Sequence, residues 1–176
     1  MTGLNGESGL RILFDPSTCR ASTSDPRAVG ILEEKWFGRR SRGDLVLDLV
    51  EVAYLILEKK AVVETATGVV LSSLEELMRE AYGCFKDFFW PQLLVYKDLR
   101  DRGRRVRVVD QGRFLVKDKS GGLRLVYVLE EKKLISIDSI VKEAENARDN
   151  SLQLVLAIVS LQGDITYYEA GEVALG

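Results

Sequence analysis

The chain has 176 residues, a formal net charge of −2, 46% apolar and aromatic positions, 30% charged positions and no histidine. That length and balance describe a globular protein with a real core, built as one domain or two small ones. They exclude a globally basic nucleic-acid binder, and the missing imidazole excludes Ser-His-Asp and Cys-His nucleophiles, histidine general acids and zinc sites built on histidine.

Leu10–Phe14 reads as the first strand, ended by the turn chemistry of Asp15-Pro16-Ser17. Asp25-Pro26 is an N-cap followed by a first-turn proline, which opens a helix through about Trp36. Gly38–Gly43 is a polar break, after which Asp44 can cap a helix. Its apolar residues at Leu45, Leu49, Val50, Ala53, Ile56 and Leu57 recur at helical spacing. Residues 61–70 predict two short strands around Gly68. Ser72 then starts a helix, with Glu75 placed to complete a capping box. Gly83 marks a domain boundary, giving domains at 1–83 and 84–176.

A long helix is predicted from Phe85 to Arg102, kinked near Pro91 and closed by Gly103. Beyond it, Arg104–Val109, Phe114–Val116 and Leu123–Leu129 read as strands. Ser136–Arg148 is a helix with Ile140, Val141, Ala144 and Ala147 on its apolar face. Leu152–Val159 and Asp164–Tyr168 are two more strands, joined by the tight turn Ser160–Gly163. The pattern is α+β: a mixed N-terminal module and a C-terminal one with a largely stranded core.

Cys19 and Cys84 are expected to be the reduced thiols of an intracellular protein. One disulfide stays open, because separation along the chain does not set distance in space. The glycine-rich residues 1–9 read as a frayed start and not as a secretory signal. No apolar run approaches the roughly 20 residues a membrane span needs, so a soluble, cytoplasmic protein is expected. Few amide and sulfur side chains beside many charges fit a thermophile.

Three clusters carry candidate chemistry. Arg100, Arg102, Arg104, Arg105 and Arg107 form the best local RNA-contact candidate, and the same run also reads as a solvated helix end feeding a strand. Arg39, Arg40 and Arg42 form a second basic group. Asp110 with Glu130 and Lys132 has the residue types of a metal-dependent nuclease, although Glu-x-Lys is common by chance in so charged a chain. Tyr167 and Tyr168, adjacent on a strand, must face opposite ways, so one can pack inward while the other meets a partner.

Gly38–Val63 (GRRSRGDLVLDLVEVAYLILEKKAVV), Tyr96–Gly103 (YKDLRDRG) and Leu154–Ala157 with Gly163–Tyr168 (LVLA and GDITYY) occur in that order. These segments resemble the N-terminal helix, the Tyr-Arg-Asp-Leu-Arg-x-Arg-Gly signature and the C-terminal strand pair of archaeal tRNA-splicing endonucleases. The resemblance implies an N-terminal mixed α/β domain and a C-terminal endonuclease-like domain with a mixed, mostly antiparallel central sheet. It also implies metal-free, cofactor-free cleavage of bulge-helix-bulge RNA by a tyrosine, a histidine and a lysine. A 2′,3′-cyclic phosphate and a 5′-hydroxyl end result.

In that family the tyrosine follows a Phe-x-Val stretch, here Phe114-Leu115-Val116, and the next residue is Lys117. The lysine precedes the Leu-Val-Leu-Ala strand by about two positions, where Leu152 stands; the histidine is absent. The resemblance thus implies a structural, non-catalytic subunit, two copies of which join two catalytic chains on precursor tRNA. The strand carrying Asp164, Ile165, Thr166, Tyr167 and Tyr168 would form the subunit interface. The turn before it, acidic in the family, keeps only Asp164 here. The alternatives are a stand-alone metal-dependent nuclease using Asp110, Glu130 and Lys132, and a non-enzymatic RNA-binding module.

Overall fold

The computed structural model describes residues 9–171 as a mixed α/β chain of two compact units, the first ending at Phe89 and the second beginning at Trp90. That division falls beyond Gly83. Tyr82–Cys84 form a 3-10 turn in which the Cys84 amide bonds to the Ala81 carbonyl, and the chain continues in the first unit past the glycine. Residues 1–8 of the expected frayed start lie outside the described residues.

The first unit is built on a six-stranded sheet. Its strands are β1 (Arg11–Asp15), β2 (Arg20–Thr23), β3 (Arg39–Ser41), β4 (Asp44–Asp48), β5 (Val62–Thr65) and β6 (Val70–Leu71), in the order β3-β4-β2-β1-β5-β6. All neighbours are antiparallel except β1 and β5. One face, with Ile12, Phe14, Ala21, Leu45, Leu47, Val63 and Leu71, is buried. Three helices complete the unit: α1 (Pro26–Glu34), α2 (Leu49–Leu57) and α3 (Leu74–Glu80). Asp25 caps α1 through bonds from the Arg27 and Ala28 amides, as its sequence predicts.

Residues 44–48 are a strand, not the start of a helix. Leu45 and Leu47 alternate at period two, and the helix begins only at Leu49, with Asp48 as its N-cap. The next helix is shifted by one: Ser73 is the N-cap, its hydroxyl accepts from the Glu76 amide, and Glu76 accepts from the Ser72 amide at 2.6 Å.

Cys19 and Cys84 form a disulfide, which corrects the expectation of reduced thiols. It ties the β1–β2 turn to the 3-10 turn across 65 positions of sequence. Nothing in the spacing signals this, because the bond is made by tertiary packing that brings the two Cα atoms to 5.5 Å.

The second unit is a five-stranded sheet, β7 (Arg105–Asp110), β8 (Arg113–Lys117), β9 (Leu123–Glu130), β10 (Gln153–Val159) and β11 (Ile165–Ala170), in the order β11-β10-β9-β8-β7. Only β9 and β10 run parallel. Before β7 comes α4 (Phe89–Asp101), and between β9 and β10 comes α5 (Ile137–Asp149). Pro91 sits in the first turn of α4, where its missing N–H costs nothing, so the long kinked helix expected from Phe85 is a shorter helix beginning at Phe89.

Gly103, at φ +77°, ends α4 with a Schellman pair: its amide bonds to the Arg100 carbonyl and that of Arg104 to the Leu99 carbonyl. The ring of Tyr96 on α4 meets Phe114 edge-on at 5.6 Å, so α4 covers the sheet face that carries Phe114 and Val116. The opposite face carries α5, whose Ala147 packs with Leu125 and Leu154.

Candidate functional site

The motif around Gly38 is structural. Gly38 has φ +67°, and a Cβ there would meet the Val46 carbonyl oxygen at 2.8 Å, so only glycine fits. Its amide donates to Glu51 Oε1 at 2.8 Å, and Glu51 Oε2 accepts from the Asp48 amide at 2.8 Å. Glu51 is 2% exposed, and its two oxygens answer one backbone donor before β3 and one at the start of α2 that would otherwise be orphaned. The second basic group belongs to the same region. Arg40 pairs with Glu33, while Arg39 and Arg42 are exposed around the β3–β4 turn.

The Tyr96–Gly103 motif is likewise committed within its unit. Arg100 donates to the Tyr96 hydroxyl at 2.8 Å and to the Val106 carbonyl at 2.6 Å, and lies over the Tyr96 ring. It fastens the end of α4 to β7. Arg102 bonds Asp98 at 2.8 Å, and Asp98 also accepts from the Tyr167 hydroxyl at 2.7 Å. Burial and this bond to a carboxylate push the Tyr167 phenol well above the usual tyrosine range. This Asp98–Tyr167–Arg102 cluster, which joins α4 to β11, was invisible in the sequence because its members lie 69 positions apart.

Tyr167 faces inward and Tyr168 outward, the latter 53% exposed. The strand that carries both is a sheet edge, paired with β10 from Val159–Ile165 to Leu154–Ala170 without a bulge. The opposite edge, β7, is guarded by a register shift between Val108 and Asp110 and by Arg105 and Arg107. Along β11 there is no lysine, no proline and no bulge, and among the described residues no strand pairs with its outer edge, which leaves that edge open to another strand.

Apolar side chains lie beside it uncovered. Ile137 and Val141 of α5 are exposed, as are Leu134 and Leu161. Ile140, Val141, Ala144, Leu152, Leu154 and Ala170 line an open groove of about 780 Å³. The Ser160–Asp164 turn closes through the Ser160 amide on the Asp164 carbonyl, and the carboxylate of Glu131 accepts from the Leu161 amide at 3.3 Å. Glu131 thus brings to the turn, at Leu161, an acid that the turn's own sequence does not contain.

Lys117 and Leu152 come to one end of the C-terminal sheet. Lys117 pairs with Leu123, and Arg124, the next residue, pairs with both Val116 and Gln153. Leu115, Leu125 and Leu154 share a face, so Lys117, Leu123 and Leu152 share it too. Lys117 and Leu152 stand roughly 10 Å apart across β9, two strand spacings. The Leu152 amide bonds to the Ala147 carbonyl, and its side chain packs on the Leu125–Ala147–Leu154 cluster. An apolar side chain held this way offers no proton and no charge.

Asp110 and Glu130 fall at the same end of the C-terminal sheet, where the Val128 amide bonds to the Gly112 carbonyl. Asp110 is exposed at the β7–β8 hairpin beside Arg113, Glu130 closes β9 and pairs with Lys133, and Lys132 sits in the turn that follows. Among the described residues no group of three or more carboxylate, cysteine or histidine side chains is placed to hold a metal ion. No described helix is long and apolar enough to cross a membrane.

Comparison with known proteins matches both units. The profile of the tRNA intron endonuclease N-terminal domain covers residues 16–78, and that of the catalytic C-terminal domain covers residues 89–167. The chain is 34% identical over 170 residues to a tRNA-splicing endonuclease of Thermococcus kodakarensis, with 90% of this chain and 96% of that protein aligned. Identity to the tRNA-splicing endonuclease of Thermococcus gammatolerans is 33%, with the same coverage. For that of Pyrococcus horikoshii it is 30%, over 84% of this chain and 88% of the relative.

Proposed function

This chain belongs to the tRNA intron endonuclease family, and from that premise we propose that it is the structural, non-catalytic subunit of a heterotetrameric tRNA-splicing endonuclease. In this reading two copies join two catalytic chains on precursor tRNA in the cytoplasm. They hold the catalytic chains at the spacing of the two bulges, and the catalytic chains cut to leave 2′,3′-cyclic phosphate and 5′-hydroxyl ends.

One observation carries the reading. The positions that the family resemblance assigns to tyrosine and lysine are Lys117 and Leu152, at the same end of the sheet with β9 between them, in a chain with no histidine. A lysine cannot take the tyrosine's part without a base partner, and a leucine bound into a core cannot hold charge on a phosphate in the transition state.

The unguarded β11 edge, the exposed Tyr168 and the uncovered apolar side chains of α5 support assembly through the C-terminal unit. Asp164 with Glu131 supports docking of the Ser160–Asp164 turn on a basic surface. The test is reconstitution with a catalytic subunit of the family, followed by native mass measurement. A complex of two chains of each kind is expected. A stable homotetramer that cleaves by itself would refute the assignment.

A further inference from the structure

The C-terminal unit has a second cavity, apart from the groove beside α5. It measures about 190 Å³ and lies on the α4 face of the sheet. Leu99 of α4, Val116 of β8, Val126 of β9 and Val155 of β10 form its apolar floor, and all four are buried. Val116, Val126 and Val155 each follow a member of the Leu115–Leu125–Leu154 row. The floor is therefore on the other side of the sheet from Lys117 and Leu152.

Polar groups of three kinds stand around that floor. The Tyr167 ring is one wall, with the Arg102 guanidinium 5.9 Å from its centre, and Asp98 engages the polar ends of both. Asp118 contributes a carboxylate. Its Oδ1 accepts from the Ser120 hydroxyl at 2.7 Å and from the Gly122 amide at 2.8 Å, whereas Oδ2 meets Arg124 Nε at 3.9 Å. Those donors hold its carboxyl below the usual range, so it is an anionic acceptor at neutral pH. Gly122 leaves room at Oδ2, because a Cβ there would lie 2.8 Å from that oxygen. Arg124 bonds to Glu169 at 2.9 Å. Arg104 brings a guanidinium that has no hydrogen-bond or ion-pair partner among the described residues.

Size and chemistry together select the ligand. A cavity of about 150 Å³ holds one aromatic ring, and pockets for drug-sized molecules start at roughly 300 Å³. A single small ring system fits between these limits. An inorganic anion would leave the apolar floor unused and would meet the charge of Asp118. A purely apolar group would leave Asp118 and Arg104 unanswered. A planar heterocycle with N–H donors on one edge and acceptors on another answers both. Guanine has that pattern, with N1–H and the 2-amino group on one edge and O6 and N7 on another. Adenine and cytosine place an acceptor nitrogen beside their amino group, and uracil flanks its N–H with two oxygens. Each would set a lone pair against the carboxylate.

We propose that this cavity binds an unpaired guanine base of RNA, with Asp118 Oδ2 accepting from N1–H and the 2-amino group and Arg104 donating to O6 or N7. It rests on the reading of the chain as a subunit acting on precursor tRNA, and it gives that subunit a base contact of its own. Recognition of a splayed-out base by its edges, over an aromatic or guanidinium neighbour, is how single-stranded RNA segments are read.

The probes are two bulge-helix-bulge RNAs, with every bulge nucleotide guanine in one and adenine in the other, beside guanosine and adenosine 5′-monophosphates. Each is titrated with the full-length chain. A good bidentate base contact discriminates by about fivefold or more, so the guanine RNA is expected to bind at least about fivefold tighter. Asp118→Asn keeps an oxygen for Ser120 and Gly122 but sets an amide N–H against the base, and is expected to erase the preference. Arg104→Ala is expected to narrow it. Circular dichroism verifies that each variant folds. Inosine in place of guanine removes the 2-amino group without altering the protein, and is expected to cost part of the preference.

Equal affinity of the wild-type chain for the two RNAs overturns the proposal, as does an undiminished preference in folded Asp118→Asn or with inosine. Guanosine monophosphate bound as tightly as the guanine RNA overturns the assignment to RNA in favour of a free nucleotide. Cleavage by the chain alone would defeat the structural-subunit reading and leave the base preference untouched, so the two failures are distinguishable.

Discussion

The two units treat their apolar surfaces in opposite ways. In the first, eight of the nine residues of α2 are buried, and the unit is locked by Glu51 and by the disulfide. In the second, α5 buries only Ala147, leaves Ile137 78% exposed and stands over an open groove. A helix of ordinary amphipathicity would turn those side chains into its own sheet. The difference teaches that α2 is closed within its own unit, whereas α5 and β11 present a face and an edge that another chain can complete.

That contrast can be broken at its strongest point first. Glu51→Ala leaves the Gly38 and Asp48 amides without their acceptor, and each such buried donor costs about 1 to 3 kcal/mol. A loss of about 4 kcal/mol in denaturant unfolding is expected. A change below 1 kcal/mol would show that the N-terminal unit is not held by this carboxylate. Reducing the disulfide, or replacing both cysteines by serine, frees a 65-residue separation and is expected to cost about 3 to 4 kcal/mol. Urea titrations with and without reductant measure it, and coincident curves would remove the disulfide from the account.

Effects in the C-terminal unit should be smaller. Tyr167→Phe removes the hydroxyl from Asp98 and is expected to cost about 1.5 kcal/mol, the scale of a bond to a charged acceptor. The folded phenol holds its proton above the unfolded value of about 10. Its contribution is therefore complete below that pH and is lost as pH rises past it, provided Asp98 stays ionised. The variant should lack this alkaline loss, and a parallel loss in both proteins would contradict the assignment. Val141→Asp with Tyr168→Asp should shift stability by no more than about 0.5 kcal/mol, since both side chains already meet solvent. The same pair should abolish capture of a catalytic subunit in a pull-down. Normal capture would mean that this face is not the interface.

Much of this organisation was legible in the sequence. Asp25-Pro26, Ser136 and Gly103 mark helix ends by local chemistry, and the structure uses all three. The first two strands after Gly103 alternate, because every second residue faces α4, whereas β9, covered on both faces, buries Leu125 and Val126 in succession. Residues 44–57 misled because Leu45, Leu47 and Leu49 pass from period two to helical period without a break in hydrophobicity. The Ser73 cap lay one residue from its expected place because two serines in succession offer equivalent hydroxyls.

At the site, Lys117 and Leu152 could be placed by motif. That Arg100 points inward while the Lys119 side chain lies over the Gly103 turn could not, because it depends on the register of β7 with β8 and on the course of the β8–β9 loop. The disulfide and the Asp98–Tyr167 bond are products of the same long-range packing.

The central claim is that this chain keeps the endonuclease scaffold without its chemistry. Single-turnover cleavage of a precursor tRNA carrying a bulge-helix-bulge motif tests it most directly, with the chain alone, a catalytic subunit alone and the two combined. The account predicts no cleavage by the chain alone at any concentration, and intron excision in the mixture above that of the catalytic subunit alone. Cleavage by the purified chain, lost in Lys117→Ala, would contradict it.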